Sequence, residues 1–426
     1  MHRDAPRVTS PTATSHAVSR YLGGSAAERD GIALCLSGGG YRATLFDLGA
    51  MRRLDELGML SRVKTFTSVS GGSIAAAFLA AHLVDRLHGT WPAPGERIPG
   101  FEEGVAQPLK RLAGTNIRTE AALSRLNPLN LRKPNAASDK LESSYARWIT
   151  SSPIAAMPSS PGFVFCGTDL TFRCGWTVDS ARQLIGNDIS GFFRPVDRNW
   201  TIARAVAASS CFPGVFPPMQ VDVRDAVASG GRPDGSQRGE IVTSIDVTDG
   251  GVFDNLGLEP VWQDHAIILV SDATPSFGPS PDLGPVWPSI RPIVALLEQA
   301  TLVRKRWLIA NFLKQELAGA YWGLASRPSN YEPAGDVVAY PDDLIERIIS
   351  QVRIELDAFS DAEQRVLENH GYLMCDLAIQ KHLPALLDKP GAPLAPPHPE
   401  WMDPARVERA LASSHRYRIL GRGEWR

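Results

Sequence analysis

Three short stretches hold residues whose types and spacing suit a common chemistry. Ser37-Gly38-Gly39-Gly40 follows the apolar run Gly31–Cys35 and leads straight into a helical pattern. A chain that passes from strand to helix through glycines presents free backbone N–H groups at a helix N-terminus, where negative charge is favoured. A phosphate cradle would continue as Gly-Lys-Ser/Thr or repeat as G-x-G-x-x-G. Here Arg42 and Ala43 stand instead. The competing chemistry for such donors is an oxyanion hole, aimed at the charge that forms when an acyl carbonyl is attacked. A plain tight turn is the alternative with no chemistry.

An oxyanion hole needs a nucleophile. Ser68-Val69-Ser70-Gly71-Gly72 closes one strand pattern and opens a helix. A serine on so sharp a strand-to-helix turn is a nucleophile elbow, usually written G-x-S-x-G, and Gly72 supplies the second small residue of that pattern. The alternative role for Ser70 is to cap the helix. A serine nucleophile also needs a base. Asp249 ends an apolar strand pattern and precedes Gly250-Gly251. Asp254, in Asp-Asn-Leu-Gly, has the composition of a turn. In a Ser-Asp-His order the base would be His265 or His370, neither in a recognisable loop.

The elements that must position these residues alternate along the chain. Strand patterns over Gly31–Ser37 and Lys64–Ser70 are each followed by a helical pattern, Gly40–Gly58 and Gly71–Leu87. Strand, helix, strand, helix at this spacing predicts a parallel sheet covered by helices. Further strands are expected at Phe163–Leu170, Glu240–Val247 and Ala266–Ala273. His88–Gly114 is Pro- and Gly-rich and aperiodic, so it reads as an insertion or a cap over a site. Val227–Gly239 reads as a surface loop. Beyond Asp282 helical patterns dominate, over Pro292–Leu324 and Pro341–Phe359, with a capping box at Ser360–Glu363 opening another. Leu387–Pro404 is a Pro-rich strap. The division that results is a flexible tail over residues 1–29, a catalytic domain over 30–281 and a helical extension over 282–426.

Bulk properties narrow the classes. A 426-residue chain with 43% hydrophobic residues can bury a sizeable core. Its net charge of −2 carries no nucleic-acid footprint. Cys35, Cys166, Cys174, Cys211 and Cys375 are odd in number and form no C-x-x-C pair, which fits reduced thiols, a reducing compartment and no zinc. The first residues lack the apolar core of a secretory signal. The longest apolar stretch, Ile74–Val84, has about half the length that spans a bilayer. A cytoplasmic protein is expected, with peripheral membrane contact left open. No cofactor and no metal is implied, since no His/Asp/Glu group has ligand spacing.

With the glycine loop, the serine elbow and the Asp-Gly-Gly motif in order, the chain resembles the patatin-like phospholipases. The resemblance covers about Asp30–Ala273. Ser37–Ala43 is similar to the variant of that loop found in cytosolic phospholipase A2 catalytic domains. Ala207–Pro218 is similar to the family's segment of small residues and prolines ahead of the catalytic Asp, and Gly167–Leu170 also matches. Ser68 replaces the first elbow glycine, and Ala43 the glycine that often ends the loop. The resemblance implies a three-layer α/β/α fold with a mostly parallel sheet. It implies lipid acyl hydrolysis by a Ser70–Asp249 dyad with no histidine, an oxyanion hole of Gly38, Gly39 and Gly40, and an acyl-enzyme. It also implies Arg42 as a contact to the lipid headgroup, against a structural ion pair.

Two other readings compete. An α/β-hydrolase esterase with a full triad needs His265 or His370, and a catalytically idle relative would serve as a membrane-binding scaffold. In the C-terminal part, Arg304-Lys305-Arg306 with Trp307, Leu308, Phe312, Tyr321 and Trp322 suits either an interfacial face for anionic lipid or packing against the catalytic domain.

Overall fold

A computed structural model describes residues 29–124, 133, 135–195, 199–213, 215–223, 243–274, 287–333, 337–387 and 393–416. Residues 1–28 of the expected tail and the loop at Val227–Gly239 lie outside the described residues.

The chain opens with two strand–helix units, β1 (Ile32–Leu36) with α1 (Gly40–Glu56) and β2 (Val63–Val69) with α2 (Gly71–Asp85). Every residue of β1 is buried, as a parallel strand covered on both faces must be. Ile32, Leu34 and Leu36 join the large core under α1 and α2, and Ala33 and Cys35 join a smaller core on the other face. Helix α2 is buried from Gly71 through Leu83, so its Ala-rich sequence has no polar face.

Helices α3 (Gln107–Ala113), α4 (Arg118–Leu123) and α5 (Ala136–Trp148) follow. The segment 88–114 is therefore not aperiodic throughout. A π turn over Glu102–Ala106 runs into α3, and Phe101, Val105, Leu109 and Leu112 are buried in the main core. Gly104 and the early Pro108 mask that period in the sequence. The segment packs at His82, whose Nε2 is 2.7 Å from the Pro99 carbonyl. That is three turns along α2 from Ser70, so it does not cap the strand ends.

The remaining strands are β3 (Gly162–Asp169), β4 (Cys174–Asp179), β5 (Leu184–Asn187) and β6 (Gly191–Phe193). After α6 (Ile202–Ser209) come β7 (Met219–Asp222), β8 (Ser244–Asp249) and β9 (Ile267–Asp272). With β10 (Ala318–Gly323) from the C-terminal part, the sheet runs β10-β9-β1-β2-β3-β4-β5-β6, with β8 on β3 and β7 on β8. Its centre, from β10 to β3, is parallel, and β4 to β8 extend it by antiparallel pairing. Helices cover both faces, which makes the fold a three-layer α/β/α sandwich.

The C-terminal part supplies helices and one strand. Helix α7 (Trp287–Leu313) ends where a helical pattern to Leu324 was expected, and β10 (Ala318–Gly323) adds to the sheet edge beside β9. Helix α8 (Asp342–Arg347) and a 3-10 turn at Ile349–Gln351 replace the helix expected through Phe359. Past that turn the Val352 and Glu355 carbonyls accept from the Arg42 guanidinium and the Tyr41 N–H at the start of α1. Helix α9 (Asp361–His382) opens with the expected capping box, Ser360 with Glu363, and α10 (Pro404–Leu411) follows. Among the described residues no helix is long and apolar enough to cross a membrane.

Helices α1 and α9 cross with their backbones in contact. A Cβ on Gly49 would collide with the Glu368 carbonyl oxygen, and one on Gly371 with that of Phe46. Neither obstacle is a side chain that could swing away. Gly49→Ala is therefore expected to destabilise the fold by about 3 kcal/mol or more, although alanine is the better helix former by about 1 kcal/mol. Urea unfolding checks this, and an unchanged midpoint would refute it.

Candidate active site

Strand β3 brings the two chemical residues together. On one edge it pairs with β4 over Val164–Asp169, so β2 and β8 must share the other edge. Strand β2 occupies that edge up to Val69, opposite Cys166. Antiparallel β8 arrives from the other direction and ends with Asp249 opposite Gly167. Ser70, the next residue after β2, therefore meets Asp249 at the junction of the two strands.

Ser70 lies at φ 50° and ψ −115°, a region costly for any residue with a Cβ. Its side chain makes no capping bond to α2, so the helix-cap role is not the one it performs. The strained turn is held by its surroundings. A Cβ on Gly71 would overlap the Gly40 carbonyl, and one on Gly72 that of Leu36. The elbow is thus pressed against the glycine loop, backbone on backbone. The Ser70 N–H donates to Ser209 Oγ at 2.9 Å, and the Ser70 carbonyl accepts from Ile74 at 3.2 Å.

Asp249 is 1% exposed. Its Oδ1 accepts the Gly251 N–H at 2.8 Å. Its Oδ2 is buried without a formed hydrogen bond, and the side-chain partner it interacts with is Ser70. Burial pushes the Asp249 carboxyl up to about 6, while the Ser70 hydroxyl and the Gly251 amide pull it down. Asp254 instead accepts the N–H groups of Leu256 (3.1 Å) and Glu259 (2.8 Å), the turn role its sequence suggested.

The glycine loop lies against Ser70: a Cβ on Gly38 would sit 3.3 Å from the Ser70 Cβ. Gly39, at φ 151°, caps α1, and Gly40 at φ 58° begins it. The three amides are not equivalent. The Gly38 N–H donates to the Asn255 carbonyl at 3.1 Å and is engaged in this state. Those of Gly39 and Gly40 stand at the N-terminus of a 17-residue helix, where the dipole favours an anion.

Arg42 does not present itself as a headgroup contact. It is 2% exposed, and its guanidinium donates to the carbonyls of Ala273 (2.6 Å) and Val352 (2.8 Å). It ties the loop to β9 and to the segment after α8. The Tyr41 N–H adds a bond to the Glu355 carbonyl at 2.9 Å.

Neither candidate histidine reaches the pair. His265 precedes β9 and bonds Thr65 Oγ1 through Nε2 at 2.9 Å. Thr65 lies five residues before Ser70, roughly 16 Å along an extended strand. His370 is buried in α9 with Nε2 2.8 Å from the Leu324 carbonyl.

The basic-aromatic segment packs inward over most of its length. Arg304 stacks on Phe253 and reaches Asp254 at 3.6 Å, Lys305 pairs with buried Asp272 at 3.2 Å, and Trp322 is fully buried in β10. Leu296, Val303, Trp307 and Leu313 remain exposed along α7.

Sequence reasoning passed over three participants. Ser209 binds the Ser70 amide, Asn255 engages the Gly38 amide, and Glu355 backs the loop. Ala-Ala-Ser-Ser-Cys drew attention as a segment, but nothing in it distinguishes Ser209 from Ser210.

The sequence model of the patatin-like phospholipases matches residues 34–262, more than half of the chain. The chain belongs to that family. Among solved structures it is similar to human GIVD cytosolic phospholipase A2, at 11% identity and a TM-score of 0.44, over 87% of this chain and 64% of that one. It is also similar to VipD from Legionella pneumophila, at 16% identity and a TM-score of 0.33, over 83% and 67%. The chain thus spans less than two thirds of the human enzyme's length. No curated protein matches it.

Proposed function

We propose that this chain hydrolyses carboxylic esters of lipids through a Ser70–Asp249 dyad and an acyl-enzyme. The observation that carries this reading is a buried carboxylate whose Oδ2 has no formed hydrogen bond, beside a strained serine at a helix N-terminus. Asp249 takes the hydroxyl proton as Ser70 Oγ attacks the ester carbonyl carbon. The carbonyl electrons move to oxygen, and the oxyanion is held by the amides of Gly39, Gly40 and Gly71, the residue after the nucleophile. The Gly38 amide, expected as a third donor from the sequence, is committed to the Asn255 carbonyl at 3.1 Å. Collapse expels the alcohol, which takes the proton from Asp249. Water then gives a proton to Asp249 and attacks the acyl carbon, and collapse breaks the bond to Ser70 Oγ, which takes that proton back from Asp249 as the fatty acid leaves. A carboxyl near 6 is a better base at neutral pH than an ordinary aspartate, and it remains ionised.

A groove of about 340 Å³ is lined by Leu170, Pro213, Val215, Phe216, Pro217, Pro218 and Thr248, and none of the dyad or glycine-loop residues lines it. Leu170, Phe212 and Val215 are exposed around it, an apolar rim consistent with peripheral contact at a lipid surface.

The test is hydrolysis of phosphatidylcholine vesicles and of p-nitrophenyl esters by the wild type and by His265→Gln and His370→Gln. Both variants are expected to keep kcat within about threefold per folded molecule, because neither ring reaches Ser70. A loss of 1000-fold in either would favour the triad. A wild type inert toward every ester would favour the scaffold.

A further inference from the structure

We propose that Ser209 is a positioning residue for the reaction, holding Ser70 and Asp249 in register from behind the site. The proposal rests on Ser70 as nucleophile. Ser209 is the last residue of α6 and is 1% exposed. Its hydroxyl is committed three ways. It donates to the Cys166 carbonyl at 2.6 Å, accepts the Ser70 N–H at 2.9 Å, and lies 2.9 Å from Ser73 Oγ.

These partners are the structural references of the dyad. Cys166 is the β3 residue opposite the end of β2, and the next residue, Gly167, pairs with Asp249. One hydroxyl thus links the nucleophile's main chain to the strand that sets the position of the base. Two residues further on, the Cys211 carbonyl accepts the Asp249 N–H at 3.1 Å and the Thr248 hydroxyl at 2.6 Å. The Ser209–Cys211 stretch therefore grips both halves of the dyad, one by a side chain and one by a carbonyl.

Two consequences follow. Without the Ser209 hydroxyl, the Ser70 amide is a buried donor with no acceptor in place, and the elbow loses an anchor that offsets its strain. With it, the Ser70 amide points away from the site, so the oxyanion must be held by other amides. Ser209 touches neither substrate nor the reacting atoms.

The experiment compares the wild type with Ser209→Ala and Ser209→Thr, reading kcat and KM on p-nitrophenyl butyrate, the rate of fluorophosphonate capture, and Tm. Ser209→Ala is expected to lower kcat and the capture rate by about 10- to 100-fold with KM within twofold, the scale of a small misplacement of a reacting group. Ser209→Thr, which keeps the hydroxyl, is expected to recover most of that loss. Equal kcat in wild type and Ser209→Ala overturns the proposal. So does a Thr variant no better than Ala at equal folded fraction, which also decides the matter if Ser209→Ala folds poorly. If the wild type captures no probe and cleaves no ester, the Ser70 reading falls and this proposal with it. If wild type is active and Ser209→Ala matches it, only the role of Ser209 falls.

Discussion

Ser70→Ala is expected to abolish covalent capture by a fluorophosphonate and to lower ester hydrolysis by about 10⁴-fold or more, the scale seen when a serine nucleophile is removed. The fold should persist, because the lost atom is a half-buried hydroxyl that makes no capping bond. Folding is expected to hold or improve slightly, since the strain of the turn resides in its Cβ and main chain, which alanine retains. Intact-mass spectrometry after probe treatment checks the result. A labelled Ser70→Ala protein would place the nucleophile elsewhere and dismantle the proposed reaction.

Asp249→Asn is expected to have opposite effects on activity and stability. Activity should drop by about 10³-fold or more, since an amide cannot take the Ser70 proton. Stability at neutral pH should rise. The raised carboxyl favours the folded state most below its unfolded pKa near 3.9, and that contribution is lost as pH rises through about 6. Above 6 the buried charge therefore costs the fold on the order of 3 kcal/mol, a burden the neutral amide does not carry. The Asn carbonyl can keep the Gly251 bond, and its NH₂ can face Ser70 Oγ. The same shift sets the pH profile. Wild-type kcat/KM should fall tenfold per pH unit below about 6, as the base becomes protonated. A variant that melts lower than wild type at pH 8, or a wild-type profile flat from pH 7 to 5, would remove Asp249 as a buried base.

Much of the site's local framework is legible in the sequence, for a physical reason. Where main chain presses on main chain, only glycine fits, so Gly40, Gly71 and Gly72 leave a mark in residue type. Strand ends also leave a mark, because the apolar run stops where the polar residue begins, as at Ser70 and Asp249. What supports these residues from a distance leaves none. The Glu355 and Val352 carbonyls that hold Tyr41 and Arg42 are main-chain atoms, which any residue could supply. The headgroup role for Arg42 is what the resemblance implies, against a structural ion pair, and the sequence alone does not decide between them because the carbonyl partners of Arg42 have no signature in residue type. Strand β10 was hidden because Ala-Gly-Ala-Tyr-Trp-Gly is short and rich in small residues, and Gly319 is small because the Ile268 carbonyl abuts it. Ser209 was invisible for another reason: a buried serine and an exposed one are the same letter.

The crossing of α1 and α9, with the carbonyls of Val352 and Glu355 behind the glycine loop, fixes an order of events during synthesis. The ribosome makes Ser70 and Asp249 long before the residues that hold Gly40, Tyr41 and Arg42 in place. A nascent chain that has reached only residue 281 has both dyad residues but lacks the groups that immobilise the loop. On the proposed mechanism, hydrolytic competence is expected to arrive late, with the last third of the polypeptide. A premature stop codon or a proteolytic cut before α9 is then expected to remove the proposed activity without touching Ser70 or Asp249.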